Sequence, residues 1–137
     1  MILYSDVRVG DALPALVKPA ITHLQLALYA SAGADHNPIH VDAEAAKAGG
    51  LPGIIAHGML GMGFLGQLVT QWVPQRQLRS LSARFVAIAY PGDVITCSGT
   101  VAAKREEGGA KLVDVDVAAH NQKGEPIQLG RATVVLG

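Results

Sequence analysis

The stretch His57-Gly58-Met59-Leu60-Gly61-Met62-Gly63-Phe64-Leu65-Gly66-Gln67-Leu68-Val69-Thr70-Gln71-Trp72-Val73-Pro74 decides the architecture. Apolar residues occupy nearly every side of a helical wheel drawn over it, and Pro74 supplies a stop signal. The spacing predicts a helix from His57 or Gly58 to about Trp72. Solvent would not tolerate that surface, so the helix is expected to be buried. Gly58, Gly61, Gly63 and Gly66 cost intrinsic helix stability. Close approach of strands or of a neighbouring subunit explains them better than the alternative, space reserved for a ligand.

Downstream the pattern changes to strand. Leu81 to Tyr90 reads as one strand, ended by Pro91-Gly92, and Val94 to Lys104 as the next, with a turn at Glu107 to Gly109. Lys111 to His120 alternates, with Val113, Val115 and Val117 on one face and Asp114 and Asp116 on the other. Gly124 turns the chain into Ile127 to Leu136. Short turns between the last three strands predict an antiparallel meander, with the Leu81 strand leading into it.

Upstream, Ala15 to Ile21 reads as an early strand after the Gly10-Asp11 turn. Thr22 is placed to cap a helix running to Ala30, with Leu24, Ala27 and Leu28 on one face. Asp42 is placed to cap a short helix over Ala43 to Ala48, stopped by Gly49-Gly50. Pattern alone therefore gives α+β.

The 137 residues are read as one domain, 1–137, large enough to bury a core without staples. Eleven basic and eleven acidic residues balance to zero net charge without any Lys or Arg run, so no electrostatic footprint for nucleic acid exists. Cys97 is the only cysteine; its apolar surroundings point to a small buried hydrophobe. No conventional signal peptide opens the chain, and the apolar run around Ile54 to Val73 falls short of a membrane span. A soluble cytoplasmic protein is the expectation.

Between the first two helices lies Asp35-His36-Asn37-Pro38-Ile39-His40. The residue before a proline is pushed out of the helical region, so Asn37 is expected to be extended or in a turn. A loop then carries a carboxylate and an imidazole five positions apart. Asp-x-Asn-Pro is also good turn chemistry, because Asp and Asn side chains bond their own backbone. His36 is expected to point away from Asp35 and His40. A metal site from Asp35, His36, His40 and Asp42 is the other reading of these side chains. No Cys or third distal histidine is placed to complete it, and no metal is expected. His57 reads as a helix-capping or core histidine, and His23 and His120 as surface residues.

The block from Tyr29 to His40, continued by Val41-Asp42 and Ala45-Ala46, closely resembles the hydratase signature of the MaoC-like dehydratase family, which includes the R-specific enoyl-CoA hydratases. Ile55-Ala56-His57-Gly58-Met59-Leu60 resembles the family's second landmark, and the Tyr90-Pro91-Gly92-Asp93 turn also fits. The resemblance covers essentially the whole chain. It implies the hot-dog fold: an antiparallel sheet wrapped around a long central helix, with a hydratase overhang loop. It also implies pairing of two such domains, with active sites formed at the pairing.

Hydration of an α,β-unsaturated thioester needs a base for water, an acid for the α-carbon and donors for the enolate-like oxygen. The resemblance assigns the proton transfers to Asp35 and His40, sharing one water, and leaves open which of them protonates carbon. Asn37 takes a supporting role. Gly58 stands where a helix begins, and backbone N–H groups there lack internal partners. An oxyanion donor at Gly58 follows from helix position and from the resemblance alike. No cofactor is implied, and hydration needs no metal.

Several R-specific hydratases carry a serine on this helix where Gly66 stands here. The glycine-rich helix is similar to that of the catalytic B subunit of the mycobacterial (3R)-hydroxyacyl-ACP dehydratase, which pairs with a partner lacking the Asp/His pair. A homodimer and a heterodimer with a related hot-dog subunit both stay open, and Gly66 is expected to widen the acyl tunnel. The expected substrate is an acyl-CoA or acyl-ACP. Rival readings are a hot-dog thioesterase, which needs no Asn-Pro-x-His partner, and a subunit active only with a companion chain. Arg84, Lys104, Arg105 and Arg131 are the cations near enough in type to meet a carrier phosphate, and none is assigned that role.

Overall fold

The computed structural model describes residues 1–137. Five strands, β1 (Leu16–Val17), β2 (Leu78–Phe85), β3 (Thr96–Glu107), β4 (Ala110–His120) and β5 (Pro126–Leu136), form one antiparallel sheet in the order β1-β3-β4-β5-β2. Three helices accompany it: α1 (His23–Ala32), α2 (Ala43–Ala48) and α3 (Gly58–Trp72). The expected meander is β3-β4-β5. The strand before it does not continue it, because β2 crosses over to pair with β5 at the far edge. The sheet curls round α3, giving the hot-dog arrangement.

α3 has the predicted bounds and buries Leu60, Phe64, Leu65, Leu68 and Val69 against the sheet. Burial is not all round, however. Met59 is 55% exposed, and Gly63 and Gln67 share the open side. The inward faces of β3, β4 and β5 supply Val101, Val113, Val115, Val117, Ala132 and Val134, all sealed from solvent. Burying one Leu or Val side chain is worth about 1.5–3 kcal/mol, so this layer against α3 holds the fold. Cys97 is fully buried among these residues, and burial pushes its thiol up to about 11. It packs as a hydrophobe.

Three local expectations change. The early strand is only Leu16–Val17, because Pro14 and Pro19 bracket it and neither can donate a ladder hydrogen bond. α1 is capped by Thr22, whose hydroxyl accepts from the Gln25 N–H at 3.0 Å, but it buries Leu26 and Ala30. Leu24 and Leu28, expected inward, are exposed. Both rows are apolar, so packing rather than periodicity chose the face. β2 runs from Leu78 to Phe85 and stops short of Tyr90, since the N–H groups of Val86 and Ala87 both converge on the Ile127 carbonyl.

The polar face of β4 also departs from a solvated row. Asp114 is nearly buried, taking a hydrogen bond from Arg105 Nε at 3.1 Å and from the Thr133 hydroxyl at 2.7 Å. The Arg105 bond, then the Thr133 bond, holds its carboxyl below the ordinary value, and burial opposes them. Folding therefore favours the ionised form. That stabilisation is complete above 3.8 and drains as pH falls through the lowered folded value. Asp114→Asn is expected to flatten the acid limb of stability against pH, read from urea midpoints. An acid limb as steep as the parent's would refute it.

Candidate active site

The loop that carries Asp35 begins in strained backbone. α1 ends with the Asp35 N–H bonded to the Ala30 carbonyl at 3.0 Å and the Ala34 N–H to the Ser31 carbonyl at 3.3 Å. These are the two bonds of a Schellman stop, and Ala34 occupies its left-handed position at φ +52°. A non-glycine residue there costs about 1–2 kcal/mol. α1 therefore runs to Ala32, two residues past the expected Ala30, with Gly33 at the C-cap. Gly33 also makes room for the Tyr29 ring, whose edge lies 2.9 Å from where a Cβ would stand.

Asn37 then performs the turn chemistry. Its side-chain oxygen accepts from the Ile39 N–H at 3.3 Å, and its own N–H donates to Asp35 Oδ1 at 3.2 Å. The backbone of Asn37 is extended, as the following proline requires. One carboxylate oxygen is thereby tied to the loop and the other, Oδ2, faces His40 Nε2 at 3.6 Å. The Pro38–His40 turn buries the imidazole and aims Nδ1 at the Ile55 carbonyl, 2.8 Å away. A carbonyl only accepts, so Nδ1 carries a hydrogen, and in the neutral ring Nε2 presents a lone pair.

With the ring neutral, two acceptors face each other at a distance too long for a direct hydrogen bond. His36 is exposed and lies outside the cluster that Asp35, His40 and His57 form. His57, read from sequence as capping or core, is buried but caps nothing with its side chain. It stacks on His40 with ring centroids 3.8 Å apart at 23°, tilts against Tyr29, and brings Nε2 within 3.2 Å of the Asp35 carbonyl. Burial pushes the His57 imidazole down from its ordinary value, ahead of the opposing hydrogen bond to Asp35. It is held neutral.

Asp35, His40 and His57 each bring a ligand-type atom within 4.8 Å of the others. That set differs from the one weighed in the sequence, since neither His36 nor Asp42 belongs to it. Asp42 caps α2 instead, its carboxylate accepting from the Glu44 and Ala45 N–H groups.

Beside the imidazoles lies a cavity of about 200 Å³ whose lining is hydrophobic at twelve of seventeen residues. His40, His57 and Gly58 form its polar end, while Phe64, Ile127 and Phe85 supply apolar wall. Gly58 is the first residue of α3, so its N–H has no intrahelical partner. A Cβ there would lie 2.4 Å from the Phe85 ring. Gly61 is equally constrained, its Cβ position being 2.4 Å from Gln128 Nε2. The close-packing reading therefore describes these two glycines. Gly63 meets open space and Gly66 only Leu81 at 3.8 Å. Gly66 does not line the cavity, so it does not widen it.

The MaoC like domain profile matches residues 7–123. The chain belongs to the MaoC-like domain family. This MaoC-like chain is 36% identical over 85 residues to "Probable enoyl-CoA hydratase 2" of Dictyostelium discoideum, an alignment covering 59% of the chain and 29% of that protein. Among solved structures it resembles the R-hydratase PhaJ1 from Pseudomonas aeruginosa, with TM-score 0.86 and 25% identity over 98% of the chain and 85% of that one. It also resembles a chain of the ChsH1-ChsH2 complex from Mycobacterium tuberculosis, with TM-score 0.81, 25% identity, and 95% and 98% of the two chains covered. The MaoC-like chain spans less than a third of the first curated relatives' own lengths. No helix in it is long and apolar enough to cross a membrane.

Sequence reasoning missed Gln128, Phe85 and the contact between His57 and the acid–base loop. For Gln128 one signal existed: an amide beside Ile127 inside a strand, whose burial the simple alternation does not explain. Of the four cations considered, three are occupied. Lys104 Nζ donates to the Tyr4 and Val7 carbonyls, Arg105 pairs with Asp114 and Glu107, and Arg131 with Asp116.

Proposed function

We propose that this chain adds water reversibly to trans-2-enoyl thioesters, giving (3R)-hydroxyacyl thioesters, with Asp35 and His40 as the acid–base pair and Gly58 N–H as the oxyanion donor. The observation that carries this reading is the pair of facing acceptors, Asp35 Oδ2 and His40 Nε2, 3.6 Å apart. A water donating one hydrogen to each satisfies both and is thereby oriented for attack on C3. The base removes the water proton as the C3–O bond forms. The α-carbon then receives a proton from the pair, so no net acid or base is consumed. Asn37 supports the pair by holding the Asp35 carboxylate. The apolar cavity beside them suits an acyl chain.

The acyl carrier is CoA or an acyl carrier protein, and the chain works as a dimer, with itself or with a related hot-dog subunit. Two features support pairing. β2 leaves one edge of the sheet unpaired, and Phe85, Val86 and Ile88 are exposed beside the cavity. Unpaired edges and apolar patches invite a partner. The experiment is an assay with crotonyl-CoA that follows both the enoyl absorbance and free thiol. Loss of absorbance without thiol release is expected. Thiol release without hydration would instead make the chain a thioesterase.

A further inference from the structure

Two buried side-chain polar atoms in the whole molecule lack a hydrogen-bond partner, His57 Nδ1 and Gln128 Oε1. Both belong to residues lining the cavity. Each is an acceptor, and the network says why. His57 Nε2 lies against the Asp35 carbonyl and so carries the hydrogen, leaving Nδ1 a lone pair. Gln128 directs Nε2 at the Gly58 carbonyl at 2.6 Å, which fixes the amide orientation and leaves Oε1 as the orphan. An unpaired buried acceptor costs about 1–3 kcal/mol, and native folds rarely leave one without a reason.

Gln128 is also a built feature. It is 2% exposed on β5, and its amide fits under the first turn of α3 only because Gly61 has no Cβ. A Leu or Met at that position would fill the same apolar wall without an orphaned carbonyl. A saturated aliphatic tail offers this acceptor nothing.

We infer that the cavity takes acyl thioesters whose chain itself carries a hydrogen-bond donor, a hydroxyl or N–H group, received by Gln128 Oε1. This rests on the hydratase reading and names the substrate class of that same site. The Gln128 amide touches the residue whose N–H is assigned to the thioester oxygen. The donor therefore belongs near the reacting end, on the first carbons beyond the double bond, rather than at the far tip of the chain. Oε1 is sealed in the structure, so reception of that donor requires the amide to pivot about its Nε2 bond to the Gly58 carbonyl.

The test compares kcat/KM for crotonyl-CoA with that for its 4-hydroxy and 5-hydroxy chain-extended 2-enoyl analogues and their methyl isosteres, using the full chain. The parent protein is expected to favour the better-placed hydroxyl over its isostere by about tenfold, the worth of one neutral hydrogen bond. Gln128→Met and Gln128→Leu should abolish that ratio. A purely structural role would lower both substrates equally and leave the ratio intact, which would overturn the inference. So would a parent protein that prefers the isosteres, a measurement that needs no variant. Absence of hydration with every substrate would instead strike the hydratase reading itself.

Discussion

Asp35→Asn and His40→Gln should each lower turnover of a trans-2-enoyl thioester by at least about a hundredfold, the scale of losing a positioned general acid–base group. The reason lies in how the two side chains are held. Asp35 keeps one oxygen on the Asn37 N–H and offers the other toward His40. Asparagine preserves the first bond but replaces the charge with a neutral amide. His40 loses its basic Nε2 in the glutamine variant, while the buried space it fills is nearly conserved. Both proteins should therefore fold, with circular dichroism like the parent's. Since the two groups act on one water, the double variant should be little slower than either single one. Parent-like kcat in either single variant would remove the acid–base assignment.

The second large effect concerns Gly58, and it needs a matched control. Gly58→Pro removes the N–H assigned to the thioester oxygen. Proline is well accommodated at the first position of a helix, and His57 already has the extended backbone that a following proline demands. The remaining disturbance is steric, because a Cβ at this position runs into the Phe85 ring. Phe85 is half exposed, and its ring meets the Cβ of alanine and of proline alike. Gly58→Ala carries the same Cβ and keeps the N–H, so the comparison isolates the donor. Proline should be slower than alanine in kcat by about 10²–10³, as for loss of one oxyanion donor. Equal rates in the two variants would show that the N–H does not serve this role.

Much of the site was legible because its signals are local. Asp42 and Thr22 announce helix starts through short side chains that bond nearby N–H groups, and both caps stand where expected. The extended Asn37 follows from the proline after it. α3 could be bounded from composition and Pro74 alone. The inward row of α1 could not, since Leu24 and Leu28 compete with Leu26 and Ala30 at equal local plausibility. The same holds for β2, whose end depends on where Ile127 lies in space.

The amino-acid order by itself determined a buried apolar helix, a following meander of strands, and a carboxylate and imidazole on one proline-stiffened loop. Those are consequences of periodicity, caps and turns, whose ranges span a few residues. Only the tertiary structure decided that β2 crosses to the far edge, that His57 stacks on His40, and that Gln128 reaches under Gly58 from 70 positions away. Such contacts arise because burial is non-directional. Apolar surface dictates that elements pack together, while the volumes of particular side chains, and the gaps left by Gly58 and Gly61, settle which polar atoms meet.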